Sequence, residues 1–117
     1  MIDATNRKRR PETPEEKVKA ARRACAEVWR LRDPATLDGK RGPREVTVPR
    51  HVSLYLVADG WYWTLEAIAA AAHCHHTQVM YAKKVVELRM SLECEKKFAA
   101  MVESARARMN DLMEGAR

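Results

Sequence analysis

Cysteine is scarce: Cys25, Cys74 and Cys94 are the three in 117 residues, and no spacing pairs them. An odd, unpaired set excludes a disulfide framework and argues for a reducing compartment. Long apolar runs are also missing. The longest, Ala67 to Ala72, is far too short to cross a bilayer, and neither a signal-like stretch nor a lipidation motif is visible. No membrane partner and a cytoplasmic location are therefore expected. The chain has no strand-like alternation and no internal repeat. It also lacks a Gly-rich phosphate loop followed by Lys-Ser/Thr, and its length leaves no room for a two-domain dehydrogenase or most barrel enzymes.

What is present is a soluble, globular composition, 46% apolar and 32% charged, with a net charge of +6. The charge is unevenly placed. Residues 1–50 carry 14 basic and 8 acidic side chains, whereas residues 51–117 carry 8 of each. A field so lopsided suits a polyanion, nucleic acid before membrane.

Residues 1–12, with Arg7-Lys8-Arg9-Arg10, read as a flexible basic arm. Thr13-Pro14-Glu15-Glu16 has the form of a capping box opening a helix. That helix carries Val18, Ala21, Cys25, Val28 and Trp29 on one stripe and is expected to end at Asp33-Pro34. Ala35-Thr36-Leu37 suits a single turn capped by Asp33. Residues 38–46 read as a loop, and a second helix is expected from Thr47 to Gly60 with Pro49 in its first turn. Thr64 suits a cap for an alanine-rich helix over Leu65–Ala72, with Trp63 and Ile68 at staple positions. A further helix is expected from His76 to about Met90. Ser91 suits the cap of a last helix, 91–117, with Phe98, Met101, Val102, Ala105, Met109 and Leu112 at helical spacing. The fold class is all-α, with five or six helices.

Leu65–Ala72 and the helix at 76–90, joined by His73-Cys74-His75, have the form of a helix-turn-helix within a domain spanning 13–90. In that geometry the start of the second helix meets base edges in the major groove. His75, His76, Thr77 and Gln78 occupy that start. Gln can pair bidentately with adenine, and Thr offers a hydroxyl and a methyl for thymine. Periodicity alone favours an ordinary αα-hairpin. The feature favouring DNA is the basic loop 40–50, with Lys40, Arg41, Arg44 and Arg50, of a kind that holds phosphates or enters the minor groove.

Lys40-Arg41, Arg44, Pro49-Arg50-His51, Tyr55-Leu56, Thr64-Leu65-Glu66-Ala67-Ile68 and His76-Thr77-Gln78-Val79 together resemble the C-terminal DNA-binding domain of the bacterial replication initiator DnaA. The similarity covers about Ala24 to Glu87. It implies a six-helix domain reading duplex DNA through a helix-turn-helix and a basic loop. By position, Arg50 matches an arginine at the start of the helix after that loop, and Leu65 matches a backbone-contacting position. The signature Arg-Asp-His-Thr-Thr-Val matches Cys74-His75-His76-Thr77-Gln78-Val79, so His76 and Thr77 persist. Cys74, His75 and Gln78 replace arginine, aspartate and threonine. The family's minor-groove arginine falls opposite Gly42, with Arg41 and Arg44 as substitutes. Lys83 and Lys84 are expected phosphate contacts.

The expected function is sequence-specific double-stranded DNA binding in the bacterial nucleoid, as a transcription regulator of phage or mobile-element type. The alternatives are a replication-origin-binding accessory protein and a protein-interaction module that kept the fold. No enzyme activity, cofactor or metal is expected, because His73-Cys74-His75-His76 point in different directions around a turn and no orienting acid accompanies them. Trp61-Tyr62-Trp63 is expected to seal the core under the motif. The C-terminal helix either closes the core or serves a protein partner or homodimer.

Overall fold

The computed structural model describes residues 13–37, 44–59 and 63–115. All regular structure among them is helical: α1 (Pro14–Val28), α2 (Arg44–Ala58), α3 (Leu65–Ala72), α4 (His76–Met90) and α5 (Lys96–Gly115), with 3-10 turns at Pro34–Leu37 and Glu93–Glu95. The basic arm, Lys40, Arg41, Trp61 and Tyr62 lie outside the described residues.

Local chemistry sets most of the boundaries. The Thr13 hydroxyl accepts from the Glu16 amide at 3.1 Å while the Glu16 carboxylate accepts from the Thr13 amide at 3.1 Å. Two donors with no intrahelical partner are thereby satisfied at the start of α1. Asp33 Oδ1 accepts from the Ala35 amide at 2.9 Å and opens the 3-10 turn. Thr64 Oγ1 caps α3 through the Ala67 amide at 3.1 Å.

Three boundaries differ from the expected ones. α1 stops at Val28, before Asp33-Pro34, because Arg30 adopts a left-handed conformation (φ 60°). The Leu31 amide reaches back to Ala26 O at 2.7 Å and the Arg30 amide to Glu27 O at 3.2 Å, a Schellman closure without glycine. α2 begins at Arg44, three residues before Thr47, so Pro49 sits inside the helix. The buried Pro49 ring gives up one intrahelical bond in exchange for packing. Ser91 closes α4 through its hydroxyl to Leu88 O at 2.6 Å; α5 opens five residues later, after the second 3-10 turn.

α1 packs on α5 along one side and on α2 and α3 along others, while α4 packs on α2 and α3. Ala20, Ala21, Ala24, Cys25 and Ala26 are buried on α1, and Ala69, Ala71 and Ala72 on α3. Small side chains on both helices permit close approach, and Arg22 of α1 donates to Ala72 O of α3 at 2.7 Å. A single core runs from Val18 through Leu56, Ile68, Val79 and Val86 to Phe98, Val102, Ala105, Met109 and Met113. Truncating one of its larger aliphatic side chains to alanine costs about 2–5 kcal/mol. The apolar stripe of α5 thus belongs to the same core as 13–90. Arg106 ties α5 to the end of α2, 2.7 Å from Asp59 and 3.3 Å from the Tyr55 hydroxyl.

Candidate nucleic-acid interface

α3 and α4 are joined by His73, Cys74 and His75, and each turn residue has a definite task. His73 is left-handed (φ 62°), which lets the Cys74 amide close on Ala69 O at 2.9 Å and ends α3. His75 caps α4. Its Nδ1 lies 3.3 Å from the Thr77 amide and 2.9 Å from the Thr77 hydroxyl. The Gln78 Oε1 accepts from the His75 amide at 3.1 Å, completing a capping box. An imidazole is an uncommon cap, so nothing in the residue type announced this role.

These bonds divide the four expected base readers. His75 and Gln78 spend acceptor atoms on the backbone, and bidentate pairing of Gln78 with adenine would require breaking the box. Thr77 is exposed at the leading edge, its hydroxyl engaged with His75. His76 is half-buried and stacks on His75 with ring centroids 4.4 Å apart. The leading edge of α4 is therefore not packed inside the molecule.

Beside it lies a cleft of about 530 Å³, lined among others by Arg22, Thr47, Arg50, His51, Gln78 and Tyr81. Arg50 is on the same side as α4's leading edge, yet it is not an exposed phosphate clamp. It is 9% exposed, and its guanidinium donates from Nε to Leu37 O and from Nη2 to Thr36 O, both at 3.2 Å. Its first task is to hold the last carbonyls of the 3-10 turn against α2, as Arg22 holds the last carbonyl of α3. Burial, and then the charge of Arg50, push the His51 imidazole below its ordinary value. The His51 ring meets Tyr81 edge to face at 5.6 Å.

The remaining expected contacts divide as well. Lys84 is exposed, whereas Lys83 is half-buried and paired with Glu87 at 2.8 Å. Leu65 opens α3 half-buried against the core, so its backbone amide is what it offers. Arg44 is the first residue of α2 and Arg41 lies outside the described residues. Met80 and Tyr81 receive no base-reading role from their residue types, but they stand 45% and 60% exposed one turn beyond Thr77. Their position opposite buried Val79, Ala82 and Val86 is the signal that finds them.

Burial pushes the Cys25 thiol up to about 12, which keeps it protonated. Among the described residues, no group of three or more His, Cys, Asp or Glu is placed to hold a metal ion. Also among them, no helix is long and apolar enough to cross a membrane. No protein-family model, curated protein or solved structure matches the chain.

Proposed function

We propose that this chain binds double-stranded DNA sequence-specifically, as a transcription regulator whose α3–α4 unit is a helix-turn-helix like that of the DnaA C-terminal domain. The carrying observation is that Thr77 stands exposed in the first turn of α4, between half-buried His76 and Gln78 and beside the cleft that Thr47, Arg50 and His51 line, which leaves this helix start open to a groove. Thr77 and His76 meet base edges. Lys84 and the α4 amide end attract phosphate. Arg41 and Arg44 serve the backbone or minor groove, from the segment that carries the positive excess.

His75, Gln78, Arg22 and Arg50 are positioning residues in this reading, holding the turn and the helix starts in place. Anisotropy of a labelled random-sequence duplex, titrated over salt, tests the proposal. Affinity falling by orders of magnitude between low and physiological salt supports it. Absent binding, or binding indifferent to salt, refutes it.

A second reading, a protein-interaction module, is favoured by the exposed apolar residues Leu88 (66%) and Leu92 (45%) at the far end of α4. Co-purification of a defined partner at fixed stoichiometry, with no retention of duplex, would select it.

A further inference from the structure

The outward face of α4 mixes polar Thr77 and Lys84 with three large exposed hydrophobic side chains, Met80, Tyr81 and Leu88. Thr77, Met80, Tyr81, Lys84 and Leu88 are all exposed, and at 3.6 residues per turn they fall within an arc of about 100°. Val79, Ala82 and Val86 occupy the opposite side and are buried, so this stripe is the surface that α4 turns away from the core. Thr77, Met80 and Tyr81 belong to the first two turns. At about 1.5 Å of rise per residue they span roughly 6 Å, less than two base-pair steps. Leu88 lies about 16 Å from Thr77 along the axis, beyond that reach.

Most polar side chains next to this patch are committed elsewhere, and His76 is half-buried against the His75 ring. The His75 and Gln78 acceptors serve the capping box, and Lys83 pairs with Glu87. What remains at the front is exposed Thr77, the Met80 side chain and the Tyr81 ring, whose edge contact with His51 limits its swing. In the major groove only one base edge is apolar, the 5-methyl of thymine. Lys84, in the same stripe, brings the positive charge that duplex DNA attracts and an apolar protein partner does not require.

Resting on the proposed DNA-binding reading, we infer that Met80 and Tyr81 determine specificity by contacting thymine 5-methyl groups, with Thr77 completing the patch. Recognition then depends on methyl contact more than on hydrogen bonds from Gln78.

The experiment uses the full chain and a duplex selected from a random 20-base-pair pool. That duplex is resynthesised with deoxyuridine for thymidine at one position at a time, which removes a methyl and leaves base pairing unchanged. Wild type is expected to lose about threefold to fivefold in affinity at one or two positions, the scale of one buried methyl. Met80→Ala and Tyr81→Ala, at exposed sites that leave the core intact, are expected to bind the two duplexes alike. Circular dichroism melting verifies their fold.

A selected duplex bound with no methyl dependence at any position overturns this inference and leaves the DNA reading standing. So do variants that keep the full discrimination. Failure of the pool to yield any bound duplex overturns both, and a protein partner lost on Tyr81→Ala while duplex affinity is unchanged assigns the patch to that partner.

Discussion

Arg50 shows how burial redirects a charged side chain. A guanidinium at a helix start beside a basic loop has the residue type and position of a phosphate clamp, yet it lies against Leu37 O and Thr36 O. Arg50→Ala would leave those carbonyls short of a partner and lower stability by about 1–3 kcal/mol, measured by urea unfolding. An unchanged unfolding midpoint combined with weaker DNA binding would return Arg50 to the clamp role.

His51 carries the pH dependence at this scale. Its folded-state value lies below the ordinary 6.5, so the unfolded chain takes up a proton that the folded chain resists. The stability tied to His51 is complete above 6.5 and is lost as pH falls from there through the lower folded value. Melting wild type and His51→Gln between pH 8 and pH 5 should show a shallower decline in the variant. Parallel curves would remove His51 as the source.

At the scale of elements, the turn between α3 and α4 depends on His75. His75→Ala removes a cap and should cost about 1 kcal/mol. His75→Asp should restore it or do better, since a carboxylate caps well and favours the positive helix end. Thermal melts of the two variants check the ordering; equal melting points would mean that the cap contributes nothing.

The Thr13 and Thr64 caps and the Asp33 turn were legible in the residues, because each rests on a side chain whose local hydrogen bond is characteristic of its type. The bounds of α3 and α4 were legible from spacing, whereas the His73 and His75 geometry that sets them was not. The end of α1 was not. Its closure is formed by Arg30 in a conformation usually left to glycine, and Asp33-Pro34 offered a stronger stop signal downstream. The start of α2 was hidden because proline suggests a first turn, whereas Pro49 lies further in, fixed by its burial. The candidate site was legible as a place more than as a set of contacts. Residues 75–78 do form an accessible helix start, but the capping by His75 and Gln78 depends on side-chain geometry that spacing does not encode.

Over the whole molecule, α5 supports the site through α1 and also packs on the far part of α4, where the Arg89 guanidinium lies 4.0 Å from the centre of the Phe98 ring. It covers α1 with Phe98, Val102, Ala105, Met109 and Met113, and α1 in turn holds α3 through its alanines and Arg22. Deleting residues 96–115 should expose the α1 face and abolish cooperative unfolding, followed by circular dichroism. A deletion that still melts cooperatively would show that 13–90 stands without it.

The central claim is that the start of α4 is the surface that meets duplex DNA. Amide chemical-shift mapping of the labelled chain, titrated with a bound duplex, addresses it most directly. The largest changes should fall at residues 75–84 and in the first turns of α2, with the outward face of α5 unmoved. Changes concentrated on α5 and the far end of α1, with 75–84 silent, would contradict it.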